Sequence, residues 1–336
     1  MKVDGGLGSD LDGVAAAAKA AEAHGYDGVW TAETSHDPFL PILLGAEHTD
    51  RLQLGTGIAV AFARNPMTLA QTANDLQVFS RGRLLLGLGS QIRAHIEKRF
   101  SMPWSHPAPR MREFILAMRA IWSCWQDGTP LQFEGEFYTH KLMTPFFNPG
   151  PHEYGPPTVF LAAVGELMTE ICGEVADGLL AHGFTTERYL REVTLPALER
   201  GLTKSGRSRE QFEISCPVMI VTGANDEQIE KAADGTRRQL AFYGSTPAYR
   251  GVLELHGWGD LQPELNSLSK QGQWAEMGKL IDDEMLRTFA VVAAPADVPK
   301  EISARYGDII DRVSFYTPYQ GAGADIEAML AGFHSA

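Results

Sequence analysis

The chain has 336 residues, 44% of them hydrophobic, which is enough to bury a full-sized core. Its 29 basic and 42 acidic residues leave a net charge of -13 with no block of Lys and Arg, which argues against nucleic acid as a partner. Three widely spaced cysteines (Cys124, Cys172, Cys216) form no C-x-x-C or zinc pattern, the opening MKVDGGLGSDLDG has no apolar leader, and no segment nears the roughly 18 apolar residues of a membrane span. The expectation is a cytoplasmic protein with reduced thiols, no metal and no membrane contact.

In chain order, residues 3–7 read as a first strand ending at Gly5-Gly6. Asp10 or Asp12 then caps an alanine-rich helix that Gly25 stops. Residues 27–33 (DGVWTAE) form a second strand and 41–48 the core of a second helix. Residues 52–59 are strand three, Asn65-Pro66 opens the helix 66–80, and 83–89 are strand four. From 90 to about 157 proline, aromatics and histidine interrupt the alternation. That stretch holds one clear helix (110–126) and a hairpin around 133–137, and reads as an insertion rather than a separate domain. Alternation resumes with strand 158–164, helix 166–176, strand 178–182, helix 187–205 and strand 212–222. A largely helical run follows to about 285, then a helix at 295–306 and an eighth strand, RVSFY, at 312–316. Eight strands alternating with helices over residues 1–336 predict one (β/α)8 TIM barrel with an insertion after strand four, although sequence alone leaves a doubly wound sheet open.

In such a barrel the chemistry sits where the strands end at their C-terminal rim. The strand ends offer Gly5-Gly6, Glu33, Thr56-Gly57-Ile58, Gly87, Gly89, Ser90, Ala163-Val164-Gly165, His182-Gly183, Thr222-Gly223 and Tyr316. Glu33 and His182 are the strong acid–base groups among them, and His36 lies just beyond strand two. There is no H-x-H, no H-E-x-x-H and no G-x-S-x-G, which counts against metal-dependent and serine hydrolases. A glycine-rich rim with few catalytic groups suits a bound cofactor that carries the chemistry itself. Ala163-Val164-Gly165, directly before a helix start, is a fitting phosphate loop.

Five segments carry a more specific signal: GYDGVWTAETSHDPFL (25–40), LGTGIAVAFARNPMTLA (54–70), SRGRLLLGLGSQIRAHIEKRF (80–100), GPPTVFLAAVGELMTEICGEVADGLLAHGF (155–184) and AFYGSTPAYRGVLELHGW (241–258). Through them the chain resembles the luciferase-like monooxygenase superfamily, and within it the coenzyme F420-dependent oxidoreductases. The resemblance implies a barrel, often homodimeric, that holds F420 or FMN at the strand C-termini. It implies a non-prolyl cis peptide on strand three near Gly57-Ile58, with Ala59 beside it. It also assigns Ala163, Val164 and Gly165 to the ribityl-phosphate portion, Gly89, Ser90 and Gln91 to the cofactor edge, and Glu33 to a hydrogen bond from the cofactor.

Two positions depart from the pattern. Thr34 stands where many relatives have a histidine, and Ile92 where some have a proton-donating glutamate. Glu33 and His36 are therefore the candidate catalytic acid–base groups, His36 because histidine titrates near neutral pH. The expected function is hydride transfer between F420 and a small organic substrate. An FMN-dependent monooxygenase using O2 is the alternative, and a non-catalytic flavin-binding protein the third reading.

Overall fold

A computed structural model describes residues 1–319 and 323–334. Eight parallel strands form its centre: β1 (Lys2–Gly6), β2 (Gly28–Thr31), β3 (Gln53–Thr56), β4 (Leu84–Gly89), β5 (Thr158–Ala163), β6 (Gly178–Ala181), β7 (Glu213–Val221) and β8 (Arg312–Tyr316). Each pairs with the next, from Asp4 opposite Gly28 round to Ser215 opposite Arg312, and Lys2 opposite Arg312 joins β8 back to β1. The sheet is therefore a closed ring, which removes the doubly wound alternative. Closure explains the sequence of β4, LLLGLG, where all six residues are buried: a strand covered by helices outside and side chains inside has no wet face to alternate with.

Local signals set the helix ends. Asn65 accepts the Met67 N–H at 2.8 Å and Pro66 fills the first helical position, where a missing N–H costs nothing, so Pro66–Phe79 starts where expected. Gly206 adopts φ +70° and ends Leu195–Ser205. Strand three is shorter than its apolar run suggests. The Gly57-Ile58 peptide is cis, and after it Ala59–Val60 pairs afresh with Leu88 and Gly89 of β4.

Side chains fill the N-terminal end of the ring. At the N-terminal end Arg312 is fully buried and gives two parallel hydrogen bonds to Asp4, at 2.8 and 2.7 Å. Its remaining nitrogen reaches Gln53 and Glu213, while Trp30 Nε1 donates to Asp4. Beyond β7 a second apolar cluster (Phe184, Val221, Leu240, Leu253, Phe289) supports the helices from Asp226–Gly244 onward. The three-residue strand Ala290–Val292 in this part, pairing with Met219–Val221, was too short to stand out in the sequence.

The insertion is built on the 21-residue helix Pro107–Asp127, whose Met111, Phe114, Met118 and Trp122 join the main core. Its Glu113 carboxylate accepts the N–H groups of Glu136 and Phe137 at 2.9 and 2.7 Å, fixing the turn of the Phe133–Glu134/Thr139–His140 hairpin. All three cysteines are buried and free. Among the described residues no helix is long and apolar enough to cross a membrane, and no group of three His, Cys, Asp or Glu side chains is placed to hold a metal ion.

Candidate active site

The C-terminal rim has two differently built walls. On the β2–β3 side the chain turns at the cis bond, and backbone hydrogen bonds hold the turn: Gly57 N–H donates to Thr31 O at 2.7 Å and Glu33 N–H to Ile58 O at 3.2 Å. The Glu33 side chain is 7% exposed. Its Oε2 accepts both the Val60 N–H at 2.7 Å and Arg64 Nη1 at 2.5 Å. Arg64 also reaches Val60 O and Asp37 and lies over the Phe39 ring. Arg64 thus fastens the loop after β2 to the segment after β3. Among the described residues Glu33 Oε1 has no hydrogen-bond partner, so it remains available as an acceptor.

His36 is exposed on that loop and makes no hydrogen bond among the described residues. The neighbouring Asp37 carboxylate accepts the Phe39 N–H at 2.8 Å instead, starting the helix Phe39–Glu47. Arg99 donates to Thr34 O, tying the same loop to the insertion.

The rim glycines divide into two kinds. A Cβ at Gly89 would come within 2.2 Å of Ile58 Cδ1, one at Gly87 within 1.8 Å of Thr56 O, and one at Gly57 within 3.4 Å of Trp30 Cβ. The protein's own groups therefore take the room left at Gly87 and Gly89, whereas at Gly57 a Cβ would make only ordinary van der Waals contact. At Gly6, Gly8 and Gly165, by contrast, a Cβ would meet nothing within 4 Å. Gly6 and Gly165 lie by β1 and β5, on opposite sides of the eight-strand ring. Gly165 is the N-cap of Glu166–Val175 and offers no side-chain acceptor to its first-turn N–H groups, an arrangement suited to an anion. Next to β4, Gln91 has φ +61° and folds its Oε1 onto the Ile92 N–H at 3.0 Å, with Ser90 Oγ donating to Gln91 O.

The wall at β6–β8 is neutral and aromatic, and its members were not brought together by sequence reasoning. His182 follows β6. Its Nδ1 accepts the Phe184 N–H at 3.0 Å, which leaves the proton on Nε2, 3.2 Å from Tyr249 Oη. Burial lowers its pKa to about 4, so the ring is neutral at physiological pH. The His182 ring lies 4.5 Å from that of Tyr249 and 4.7 Å from that of Tyr243. Tyr243 and Tyr316 share a 2.8 Å hydrogen bond, and burial, then that bond, raises the Tyr316 phenol. Tyr189 Oη donates to Val164 O at 3.4 Å, joining this wall to the loop after β5.

Other polar and aromatic groups singled out in the sequence are used elsewhere. Arg93 pairs with Glu97 and Arg250 with Glu254 along their own helices, Trp104 packs edge-on to Phe62, and Trp258 stacks on His256. Trp122 and Trp125 are buried in the insertion core.

The family model described as luciferase-like monooxygenase matches residues 2–312. An uncharacterized protein of Mycobacterium tuberculosis is 63% identical over 313 residues, 93% of this chain and 92% of that one. The 5,10-methylenetetrahydromethanopterin reductase of Archaeoglobus fulgidus is 26% identical over 294 residues, 85% of this chain and 83% of the reductase. The fold matches the coenzyme F420-dependent tetrahydromethanopterin reductase from Methanopyrus kandleri with a TM-score of 0.78 at 20% identity, covering 99% of this chain and 98% of that one. The chain belongs to the luciferase-like monooxygenase family, whose barrel and sequence pattern it carries over nearly its whole length.

Proposed function

We propose that the protein is a cytoplasmic oxidoreductase that exchanges a hydride between coenzyme F420 and a small organic substrate. The observation that carries this reading is the open space at Gly6 and at Gly165, at the ends of β1 and β5, together with the cis turn at Gly57-Ile58 after β3. Backbone at this rim, with the Glu33 carboxylate held by Arg64, suits a flat ring with a phosphate-bearing tail. Bound there, F420 supplies a ring carbon that gives or takes the hydride.

The chain's own residues position and enclose. Gly57, Ile58 and Ala59 present backbone to a ring face, and Gly89-Ser90-Gln91 runs along its edge. Ala163-Val164-Gly165 meets the phosphate with the uncapped N–H groups of the following helix. Glu33 Oε1 accepts a hydrogen bond from the ring while Arg64 keeps the carboxylate oriented. His36, on the exposed loop, exchanges the accompanying proton with water. The exposed Leu40, Leu43, Val78 and Phe79 on helices Phe39–Glu47 and Pro66–Phe79 support a homodimer, for which sedimentation equilibrium is the test.

Anaerobic titration with F420 and with FMN decides the cofactor. F420 binding at micromolar or lower concentration, with FMN weaker, is the expected result. Tight FMN with no F420 reassigns the protein as a monooxygenase, the reading that the family description favours. Binding of neither withdraws both. Cofactor binding with no turnover across a panel of alcohols, aldehydes and enones leaves a non-catalytic flavin-binding protein.

A further inference from the structure

The β6–β8 wall has a donor arithmetic that leaves something over. The imidazole of His182 is fully committed, accepting at Nδ1 and donating at Nε2 to Tyr249 Oη. Tyr249 therefore receives a hydrogen and retains its own, for which no acceptor stands among the described residues. Tyr243 and Tyr316 satisfy one of their two hydroxyl hydrogens between themselves, so one further O–H is left over. All three tyrosines and His182 are only partly buried, and His182 and Tyr316 stand at the C-terminal ends of their strands. The walls around them are apolar: the Phe184 and Tyr249 centroids are 5.9 Å apart, and Phe184 stacks on Phe289 at 4.7 Å.

None of the cluster's polar contacts involves a charged group. The nearby Arg250 and Arg188 point to Glu254 and Glu192. A carboxylate or phosphate placed here would lose water for two phenol hydrogens and no cation, which leaves its charge poorly compensated. Among the described residues no carboxylate takes part in the cluster to meet a cation. An uncharged oxygen fits both the spare donors and the apolar surround.

Resting on the reading of the rim as a cofactor-dependent redox site, we propose that Tyr249, oriented by His182, together with the Tyr243–Tyr316 pair forms a substrate-oxygen site. The substrate class it assigns is an uncharged carbonyl compound or the corresponding alcohol. Phenol hydroxyls serve both redox states, donating to a carbonyl oxygen and accepting from an alcohol hydroxyl. Tyr249 is then a binding group and His182 a positioning residue.

Three probes of nearly one shape test this on the F420-loaded protein: cyclohexanone, methylenecyclohexane and cyclohexanecarboxylate. Calorimetry gives affinities, and the infrared C=O stretch of bound cyclohexanone gives a readout independent of turnover. The ketone binds roughly tenfold tighter than the other two, and its stretch falls in frequency on binding. Tyr249→Phe removes the advantage and the shift while F420 affinity and far-UV circular dichroism stay as in the wild type. His182→Gln, which keeps a side-chain N–H, loses less than His182→Leu. An unshifted stretch, ketone affinity equal in wild type and Tyr249→Phe, or tightest binding of the carboxylate overturns the oxygen site. Repeating the titrations without F420 separates the two readings. Failure of F420 to bind while the Tyr249-dependent ketone affinity persists removes the cofactor assignment alone, whereas F420 binding without Tyr249-dependent ketone affinity removes the oxygen site alone.

Discussion

The two ends of the barrel solve the same problem, polar groups inside a closed ring, in opposite ways. At the N-terminal end the charges are saturated: Arg312 is matched by Asp4, Glu213 and Gln53, and Lys2 takes the other oxygen of Glu213 at 2.6 Å. At the β6–β8 side of the C-terminal rim the polar contacts of His182, Tyr243, Tyr249 and Tyr316 among the described residues involve no charged group, and the cluster keeps spare hydroxyl hydrogens. A saturated network has nothing left to offer a ligand and fixes the register of β1 against β8. An unsaturated one contributes less to folding and can bind. The saturated layer holds the ring together, and the spare donors that a ligand could use lie in the other layer.

The largest effect is expected from breaking the saturated end. Arg312→Met leaves Asp4 buried without its cation and should cost about 3–5 kcal/mol of folding free energy, read from urea denaturation. Arg312→Lys keeps a charge but not the planar fork and should fall between the two. Stability within about 1 kcal/mol of wild type in Arg312→Met would mean that this end is not the keystone described.

Next comes the pH response of His182. Its folded pKa of about 4 lies below the ordinary value of 6.5 because of burial. Between those values the unfolded chain binds a proton that the folded chain refuses, so stability falls as pH drops from 6.5 toward 4 and is complete above 6.5. The contribution is on the order of 3 kcal/mol, and it should appear as a pH-dependent difference in stability between wild type and His182→Gln in denaturation curves across that range. Parallel curves for the two proteins would place His182 in a wetter setting.

The smallest effect sharpens the same contrast. Tyr243→Phe removes one neutral hydrogen bond at the rim and should cost about 1 kcal/mol, with the thermal midpoint moving by a few degrees at most. A loss comparable to that of Arg312→Met would show the rim to be as structural as the opposite end.

The sequence revealed more of the ring than of its contacts. The apolar run LLLGLG, the Asn65-Pro66 helix start and the eightfold alternation are local signals, and they point to the barrel; that the sheet closes on itself is seen only in the pairing of β8 with β1. The position of the cis bond followed from the family resemblance and agrees with the structure. Long-range pairings left no such mark: Asp4 and Arg312 are 308 positions apart, and nothing local says that they meet. Tyr243 and Tyr249 sit beyond β7 on helical segments, and their approach to His182 depends on how those helices fold over the apolar cluster of Phe184 and Phe289. The glycines illustrate a subtler limit. A small residue at a strand end marks a close approach, yet at Gly87 and Gly89 the approaching group is the Thr56 carbonyl or the Ile58 side chain, and open space is found at Gly6 and Gly165 instead.

A crystal structure of the protein grown with F420 tests the central claim most directly. The account predicts density for a planar ring against the Gly57-Ile58 turn, with its phosphate at the N–H groups following Gly165. Density for the cofactor outside the barrel rim, or a phosphate held away from the Ala163-Val164-Gly165 loop, would contradict it.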